Sequence, residues 1–216
     1  MTYIFHDYTA KLDYRKILQK YFSNKGHRLV FPKKKFIECT YRKLDVVYLI
    51  VRGKIKQYFL DNDGTERTIL VLSKGDMFGE ITLIQGDSDR VISETLEETE
   101  VIRIAKKDFF DTLDNKEVYN ALLEMITTKF RIIMAQLYDN TYCSARTRLI
   151  NLLTRLSRQY GIKEANTIKI DIKLTHEEIA NMIGSSRSTV TRLLNDLSKN
   201  NYIQLKNKYI YLNLKS

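Results

Sequence analysis

The side chains in this sequence that are best suited to chemistry lie between Leu174 and Leu197. Thr175 and Glu178 have the spacing of a capping box, in which each side chain bonds the other residue's backbone N–H at the start of a helix. Gly184 then supplies a sharp turn, and a second apolar-faced helix follows it with Arg, Ser and Thr on its exposed face. Arg can bond guanine through two hydrogen bonds, and Ser and Thr can reach base edges or phosphates. The stretch therefore predicts a helix-turn-helix whose second helix enters the major groove of DNA.

A basic hairpin is predicted to follow this pair of helices. Two alternating runs within residues 202–212 flank Lys206-Asn207-Lys208, an arrangement that is typical of the wing of a winged helix-turn-helix. Two short amphipathic helices joined at a glycine are also common in proteins where they only pack together and bind no DNA. The full combination of capping box, small residue, glycine turn, basic helix face and basic hairpin is much rarer. His176 is interpreted as a surface residue of the first helix, beside its cap. We expect the contacts to DNA to come from hydroxyl-bearing and basic side chains of these elements: Thr175, Ser186, Arg187, Ser188, Thr189, Thr191, Arg192, Lys206 and Lys208.

The positive charge of the chain is concentrated in the part that contains this motif. The 216 residues include 36 Lys and Arg against 26 Asp and Glu, a formal net charge of +10. Residues 141–216 hold 13 against 5, a net charge of +8, whereas residues 1–140 hold 23 against 21. Lys and Arg displace condensed counterions from phosphates, so this distribution favours a domain that binds a polyanion. A lysine-rich proteome would explain the excess of positive charge equally well. The helix-turn-helix motif favours the other explanation, in which the domain binds double-stranded DNA.

Other kinds of chemistry find little support in the sequence. It contains no G-x-S-x-G, Walker P-loop or H-E-x-x-H motif, and its three histidines, His6, His27 and His176, accompany no acidic cluster. We therefore expect no enzyme, no catalytic residue and no metal site. The two cysteines, Cys39 and Cys143, are too few to hold an iron–sulfur cluster, while redox sensing by either one, or haem bound by His27 or Cys39, stays open. Because no long apolar run and no secretory signal pattern is present, we expect a cytoplasmic protein without a membrane partner.

The elements that must position these residues differ between the front and the back of the chain. Short runs rich in Val, Ile, Tyr, Phe and Thr fill residues 27–105 and are separated by turn signals such as Asp63-Gly64, which predicts an antiparallel sandwich or barrel. A long helix without Gly or Pro is expected over 116–140. A further amphipathic helix over 145–159 is expected to end at Gly161 as its C-cap residue.

The long helix carries a wide, nearly heptad-like apolar stripe. Such a width suits a helix that packs on its own domain on one side and on a twin helix on the other. An ordinary core helix of a monomer would carry a similar stripe. We interpret the helix as a dimerisation helix, because it is long, uninterrupted and placed between two predicted domains. The residues of the stripe are Val118, Leu122, Met125, Ile126, Ile132, Ile133 and Leu137.

Two motifs give the chain a resemblance to the CRP/FNR family of transcription factors. Gly-x-Ser-Arg-x-Thr-Val-x-Arg at 184–192 is similar to the recognition-helix signature of that family, and Gly-Asp-Met-Phe-Gly-Glu-Ile at 75–81 is similar to its phosphate-binding cassette. The resemblance spans almost the whole chain and implies an α+β fold. Its parts are an antiparallel β-roll like that of cyclic-nucleotide-binding domains over 1–115, a dimerisation helix over 116–140 and a winged helix-turn-helix over 141–216. It also implies a homodimer that regulates transcription from an inverted repeat, together with RNA polymerase.

The same resemblance places an effector pocket in the β-roll. By position, the pocket is formed by Gly79, Glu80, Ile81, Arg90, Val91, Ile133 and Met134. Relatives that bind cyclic AMP carry hydroxyl side chains where Val91, Ile133 and Met134 stand. Losing two hydroxyl donors beside a charged ligand costs on the order of 1–3 kcal/mol each, so these residues argue against cyclic AMP. Another small effector, no effector, and an internal ion pair between Glu80 and Arg90 all stay open.

The recognition helix departs from the family at Ser188, where many members have Glu. A carboxylate accepts a hydrogen bond from cytosine N4, whereas a shorter hydroxyl discriminates less, so we expect a different half-site. The second hypothesis for the chain is a cyclic-nucleotide-type sensor module whose basic C-terminal region binds a protein or a membrane. Salt-dependent binding to duplex DNA distinguishes the two hypotheses.

Overall fold

The computed structural model of the chain describes residues 13–37, 45–87 and 90–214. The chain has two compact units, residues 1–134 and residues 135–216, and the division falls inside the long helix. Each unit has its own sheet structure and its own buried core. Within the described ranges, no helix is both long enough and apolar enough to cross a membrane.

The first unit alternates strands with short helices and ends in the long helix. In chain order its elements are α1 Tyr14–Phe22, β1 Gly26–Phe31, β2 Val46–Arg52, β3 Lys54–Leu60, β4 Glu66–Ser73, β5 Met77–Phe78, α2 Glu80–Gln85, β6 Ile92–Thr95, β7 Thr99–Ala105, α3 Lys106–Leu113 and α4 Lys116–Tyr142, which continues past the division. The strands form two sheets, β1-β7-β2-β5 and β4-β3-β6, in which all pairs are antiparallel. This confirms the predicted antiparallel β-roll followed by a long helix.

The hairpin between β3 and β4 turns where the sequence predicts it. Gly64 has a φ of +78°, a left-handed conformation that a residue without a Cβ adopts at little cost. The carboxylate of Asp61 accepts hydrogen bonds from the backbone N–H groups of Asp63 and Thr65, at 2.9 and 2.8 Å. These local bonds fix the turn that joins the two longest strands of their sheet.

One face of α4 belongs to the core of the first unit, and this corrects the predicted dimer stripe. Val118, Leu122 and Met125 are buried in a cluster with residues of the sheet and of α1. They therefore cannot contact a twin helix. Ile126 and Ile132 are partly buried against the same core and its neighbour. The sequence stripe combines two faces because apolar side chains cover both the core side and the outer side of the helix.

The second unit comprises the rest of α4 and a winged arrangement of helices and strands. Its further elements are α5 Ala145–Tyr160, β8 Gly161–Glu164, β9 Thr167–Ile170, α6 His176–Ile183, α7 Arg187–Lys199, β10 Ile203–Lys206 and β11 Tyr209–Asn213. The four strands form one antiparallel sheet in the order β10-β11-β9-β8. α5 ends at Gly161 as predicted, but for a different reason. Gly161 is extended, and a Cβ there would clash with the carbonyl oxygen of Ser157.

Candidate nucleic-acid interface and effector pocket

The first helix of the helix-turn-helix, α6, begins with the predicted capping box. Thr175 Oγ1 accepts a hydrogen bond from the backbone N–H of Glu178 at 3.1 Å, and the Glu178 carboxylate accepts one from the backbone N–H of Thr175 at 2.6 Å. Ile179 and Ala180 are fully buried on the inner face. The box satisfies two N–H groups that a helix start otherwise leaves without a partner, so it fixes where α6 begins.

The turn between the two helices is held from both sides. Gly184 has a φ of +58°, and its N–H donates to the carbonyl oxygen of Ala180, which ends α6. Arg148 of α5 donates from Nε to the carbonyl oxygen of Ile183 at 2.7 Å and from its terminal nitrogen to that of Gly184 at 3.2 Å. One guanidinium group thus bonds the last carbonyl oxygens of the first helix. Nothing in the local sequence around Arg148 indicates this contact.

The recognition helix, α7, starts at the cap residue Ser186. Its Oγ accepts a hydrogen bond from the backbone N–H of Thr189 at 3.2 Å and donates one to the Thr189 hydroxyl at 2.9 Å. The predicted inner face is buried: Val190, Leu193, Leu194 and Leu197. Because these side chains recur at helical spacing, their burial sets which residues α7 turns outward.

The outward side of α7 bears a groove that includes four of the nine predicted DNA-contacting residues. Seven side chains line it: Arg187, Ser188, Thr191, Arg192, Asn195, Asp196 and Lys199. Four of them were predicted, and Asn195, Asp196 and Lys199 were missed because they lie in the second half of the helix. Asp196 forms an ion pair with Arg146 of α5, so its negative charge is offset within the unit. The groove therefore offers cations and hydroxyl groups, which suits the edges and phosphates of a DNA groove.

The two helices are also bonded to each other through His176, the first residue of α6. Its Nδ1 lies 2.7 Å from Oγ1 of Thr191 on α7. The same Oγ1 donates to the carbonyl oxygen of Arg187, one helical turn earlier, at 2.9 Å. His176 is thus a partner of the recognition helix and not merely a surface residue beside the cap.

The predicted wing is the hairpin β10–β11. Lys206 pairs with Tyr209, and the two residues between them, Asn207 and Lys208, have φ values of +51° and +65°. Positive φ at both central residues is typical of a tight two-residue hairpin turn. Lys206 and Lys208 are exposed on it, as a phosphate contact requires.

A second group of lysines lies against the aromatic side chains of the wing sheet. The Nζ atoms of Lys169 and Lys173 are 4.2 and 5.1 Å from the ring centre of Tyr209. A hydrogen bond to Asp171 raises the pKa of Lys169 above its usual value. These two lysines were not predicted, because the pairing of β9 with β11 that brings this segment to Tyr209 has no local signature in the sequence.

The residues of the proposed effector pocket lie in the first unit, where Glu80 has a partner that the sequence did not indicate. Gly79, with a φ of +85°, precedes α2, and the buried carboxylate of Glu80 accepts a hydrogen bond from Nζ of Lys129 at 2.7 Å. The same Nζ donates to the carbonyl oxygen of Met77 at 2.6 Å. The other pocket residues, Ile81, Arg90, Val91, Ile133 and Met134, are exposed or partly exposed. Lys129 is therefore both the hydrogen-bond donor and the counter-charge of the Glu80 carboxylate.

The remaining candidates for sensing chemistry are scattered. His6 and Cys39 lie outside the described residues, His27 is exposed on β1, and Cys143 is a partly buried free thiol. Among the residues that the structure describes, no cluster of His, Cys, Asp and Glu is arranged to hold a metal ion.

Comparisons with known proteins assign both units. Residues 147–216 match the family model of the Crp-like helix-turn-helix domain, and residues 28–116 match that of the cyclic nucleotide-binding domain. The chain is 32% identical over 169 residues to the global nitrogen regulator of Synechococcus elongatus, across 76% of this chain and 75% of that protein. It is 25% identical over 183 residues to the CRP-like cAMP-activated global transcriptional regulator of Mycobacterium tuberculosis, across 84% of this chain and 82% of that protein.

Solved structures share the fold. A CooA mutant from Carboxydothermus hydrogenoformans superposes with a TM-score of 0.75 over 93% of this chain and 86% of that chain, at 21% sequence identity. FixK2 from Bradyrhizobium japonicum superposes with a TM-score of 0.73 over 86% of this chain and 91% of that chain, at 20% identity. At these identities the likeness concerns the fold.

Proposed function

The chain belongs to the CRP/FNR family of transcription regulators and is a DNA-binding regulator of that type, and we propose that it acts as a homodimer on an inverted repeat. The observation that carries the proposal is an apolar stripe on the outer face of α4. Its large side chains are between 39% and 61% exposed in the single chain: Tyr119, Leu123, Phe130, Ile133 and Leu137.

The spacing of this outer stripe is that of a coiled coil. Leu123, Phe130 and Leu137 are seven residues apart, and Tyr119 and Ile133 belong to a second series with the same period, whose middle residue, Ile126, is partly buried against the core of the first unit. Alternating steps of three and four residues place both series along one seam of a helix, which a second copy of the same helix can cover. A second copy is the natural occupant, since a twofold axis brings the same patch against itself.

A dimer also suits the single recognition helix of each chain. Two copies of α7 would occupy successive turns of the major groove, about 34 Å apart, and read two half-sites related by the same twofold axis. One α7 alone offers too few base contacts for tight specific binding. We therefore propose that a substitution that breaks the dimer also abolishes specific DNA binding.

Substituting Phe130 with Glu tests this proposal. The change removes an aromatic side chain from each half of the seam and places two carboxylates near the axis. We expect the dimer dissociation constant, measured by sedimentation equilibrium, to rise at least about a hundredfold, with a matching loss of affinity for a palindromic duplex. Phe110→Glu is the matched control, because Phe110 is an exposed aromatic residue that belongs to α3 and not to the α4 stripe. A wild-type chain that sediments as a monomer at micromolar concentration, with and without DNA, would contradict the dimer.

We propose further that the regulator catalyses no reaction and acts on transcription through RNA polymerase, as membership of the family implies. In vitro transcription with the polymerase of its own host tests this: a promoter that carries the inverted repeat should respond to the protein, and the same promoter with the repeat scrambled should not. The second hypothesis, a sensor whose basic region binds a protein or a membrane, is not favoured, because that region matches a helix-turn-helix domain.

For the effector, we propose that cyclic AMP does not switch this protein. Either another small molecule switches it, or the protein has no effector. The support is that the carboxylate of Glu80 is buried and already hydrogen-bonded to Lys129. A ligand that used Glu80 would have to displace an ammonium group from a site that water does not reach, which is costly. The apolar side chains of Val91, Ile133 and Met134 offer no hydroxyl group in return.

A further inference from the structure

The hydroxyl hydrogen of Thr191, on the recognition helix, is used within the protein. Its Oγ1 lies 2.9 Å from the carbonyl oxygen of Arg187 and 2.7 Å from Nδ1 of His176. A carbonyl oxygen only accepts, so the single hydroxyl hydrogen of Thr191 is directed at Arg187. Oγ1 must then accept from His176, which therefore carries a hydrogen on Nδ1. Two neighbours together fix the direction of one hydroxyl group.

A hydroxyl group in this state cannot donate a hydrogen bond to a base edge. Its oxygen keeps one lone pair that can accept from a base amino group, and the side chain also carries a methyl group; Thr191 lines the same groove of α7 as Ser188 and Arg192. In the major groove only thymine presents a methyl group, and the threonine methyl is one of the side-chain groups that contact it. A threonine whose hydroxyl turned freely would instead bond several bases and discriminate poorly.

We propose that Thr191 recognises the 5-methyl group of a thymine in each half-site, and that His176 is the positioning residue that commits it to this role. The inference rests on the proposed function, because it presupposes specific binding to duplex DNA. His176 is well placed for the task, since it directly follows the cap residue Thr175 and is held at a fixed start of α6. The capping box that fixes α6 thereby also fixes what α7 presents to DNA.

The test begins with selection of binding sites from a random duplex library by the full chain. Each thymine of the enriched half-site is then replaced by uracil, which removes the methyl group and leaves the base-pairing edge unchanged. At one thymine per half-site we expect the wild type to bind about fourfold more weakly, the equivalent of one buried methyl group. Thr191→Ser keeps the hydroxyl and removes the methyl group, so it should lose this sensitivity. Thr191→Val keeps the methyl group and should retain it.

His176→Ala tests the positioning role separately. Without the imidazole, only the Arg187 carbonyl holds the Thr191 side chain, which can then rotate and present its hydroxyl group to DNA. Selection with this variant should therefore give a broader base preference at the thymine position and an unchanged preference elsewhere. A residue that served only stability would lower affinity for all duplexes and leave the selected sequence as it was. That outcome would overturn the role of His176.

The uracil substitution is made in the DNA and measured with wild-type protein, so this part of the test does not depend on whether a protein variant folds. Wild-type protein that binds an enriched site equally well with uracil at every thymine position would overturn the inference, as would Thr191→Ser retaining the wild-type sensitivity. A library from which the wild-type chain enriches no sequence at all would overturn the proposed function itself. The two failures are thus distinguishable in the first experiment.

Discussion

The ammonium group of Lys129 lies 2.7 Å from the carboxylate of Glu80, and both side chains are at least nine-tenths buried. Lys129 is on α4, whereas Glu80 is the first residue of α2, next to the left-handed Gly79. The carbonyl oxygen of Met77 accepts a second hydrogen bond from the same ammonium group. A buried charge is tolerated only when it is paired and hydrogen-bonded. The pair therefore binds the long helix to the cassette of its own unit.

Removing one member of this pair should destabilise the first unit strongly. Lys129→Met leaves the Glu80 carboxylate buried without its cation, and we expect a loss of about 3–5 kcal/mol in the free energy of unfolding. The double variant Lys129→Met with Glu80→Gln should lose clearly less than the two single variants added together, because neither charge is then left alone. Urea denaturation followed by tyrosine fluorescence measures all three.

An exposed ion pair serves as the control for this measurement. Lys106 and Asp45 are 3.9 Å apart, with both side chains largely exposed, and Lys106→Met should change the stability by less than about 1 kcal/mol. Equal effects of the Lys129 and Lys106 substitutions would mean that the buried pair contributes no more than a surface pair.

Cyclic AMP is expected to bind the wild-type protein only weakly or not at all. The ligand would need hydrogen bonds for its ribose and phosphate, but Glu80 is engaged by Lys129, and Val91 lies beside Arg90 where a hydroxyl group would be required. Polar ligand groups that lose their bonds to water and gain no protein partner each cost about 1–3 kcal/mol. Calorimetry on ligand-free protein should give no heat of binding at micromolar cyclic AMP. Micromolar affinity accompanied by tighter DNA binding would show that the backbone around Gly79 is sufficient on its own.

The features that the sequence predicts correctly depend on residues close together in the chain. Thr175 and Glu178 are three residues apart, and the glycines at 64 and 184 need only their own backbone conformation to define a turn. The antiparallel sheets follow from alternation within short runs. Local spacing rules of this kind do not depend on what packs against the segment, so they are visible without a structure.

The features that the sequence leaves hidden depend on contacts between distant elements. Lys129 and Glu80 are 49 residues apart, and His176 and Thr191 are 15 apart in two different helices. Nothing in the local pattern of either pair indicates its partner. The stripe of α4 is hidden for a related reason, since Met125 and Phe130 are both apolar but only the packing of the first unit shows that one is buried and the other exposed.

The capping box should contribute measurably to the second unit. Thr175→Ala removes the oxygen that accepts from the Glu178 N–H, and we expect a loss of about 1 kcal/mol in stability together with faster hydrogen exchange of the first α6 amides. Thr175→Ser keeps this oxygen and should restore most of the loss. If alanine and serine behave alike, the hydroxyl group does not stabilise the helix start.

Arg192 and Lys208 should contribute to DNA binding in different ways, although each carries one positive charge. Arg192 lines the groove of α7, where a guanidinium group can bond guanine through two hydrogen bonds, whereas Lys208 is at the tip of the wing, where it can reach only phosphates. Arg192→Ala should cost about 1–3 kcal/mol on the selected site and relax the preference at one base pair per half-site. Lys208→Ala should weaken binding to all duplexes about equally and reduce the salt dependence by about one phosphate contact per chain. The two variants remove the same charge, so titrations of selected and scrambled duplexes across a range of salt concentrations separate base recognition from charge. A fall in affinity by the same factor on both duplexes for Arg192→Ala would make Arg192 a phosphate contact.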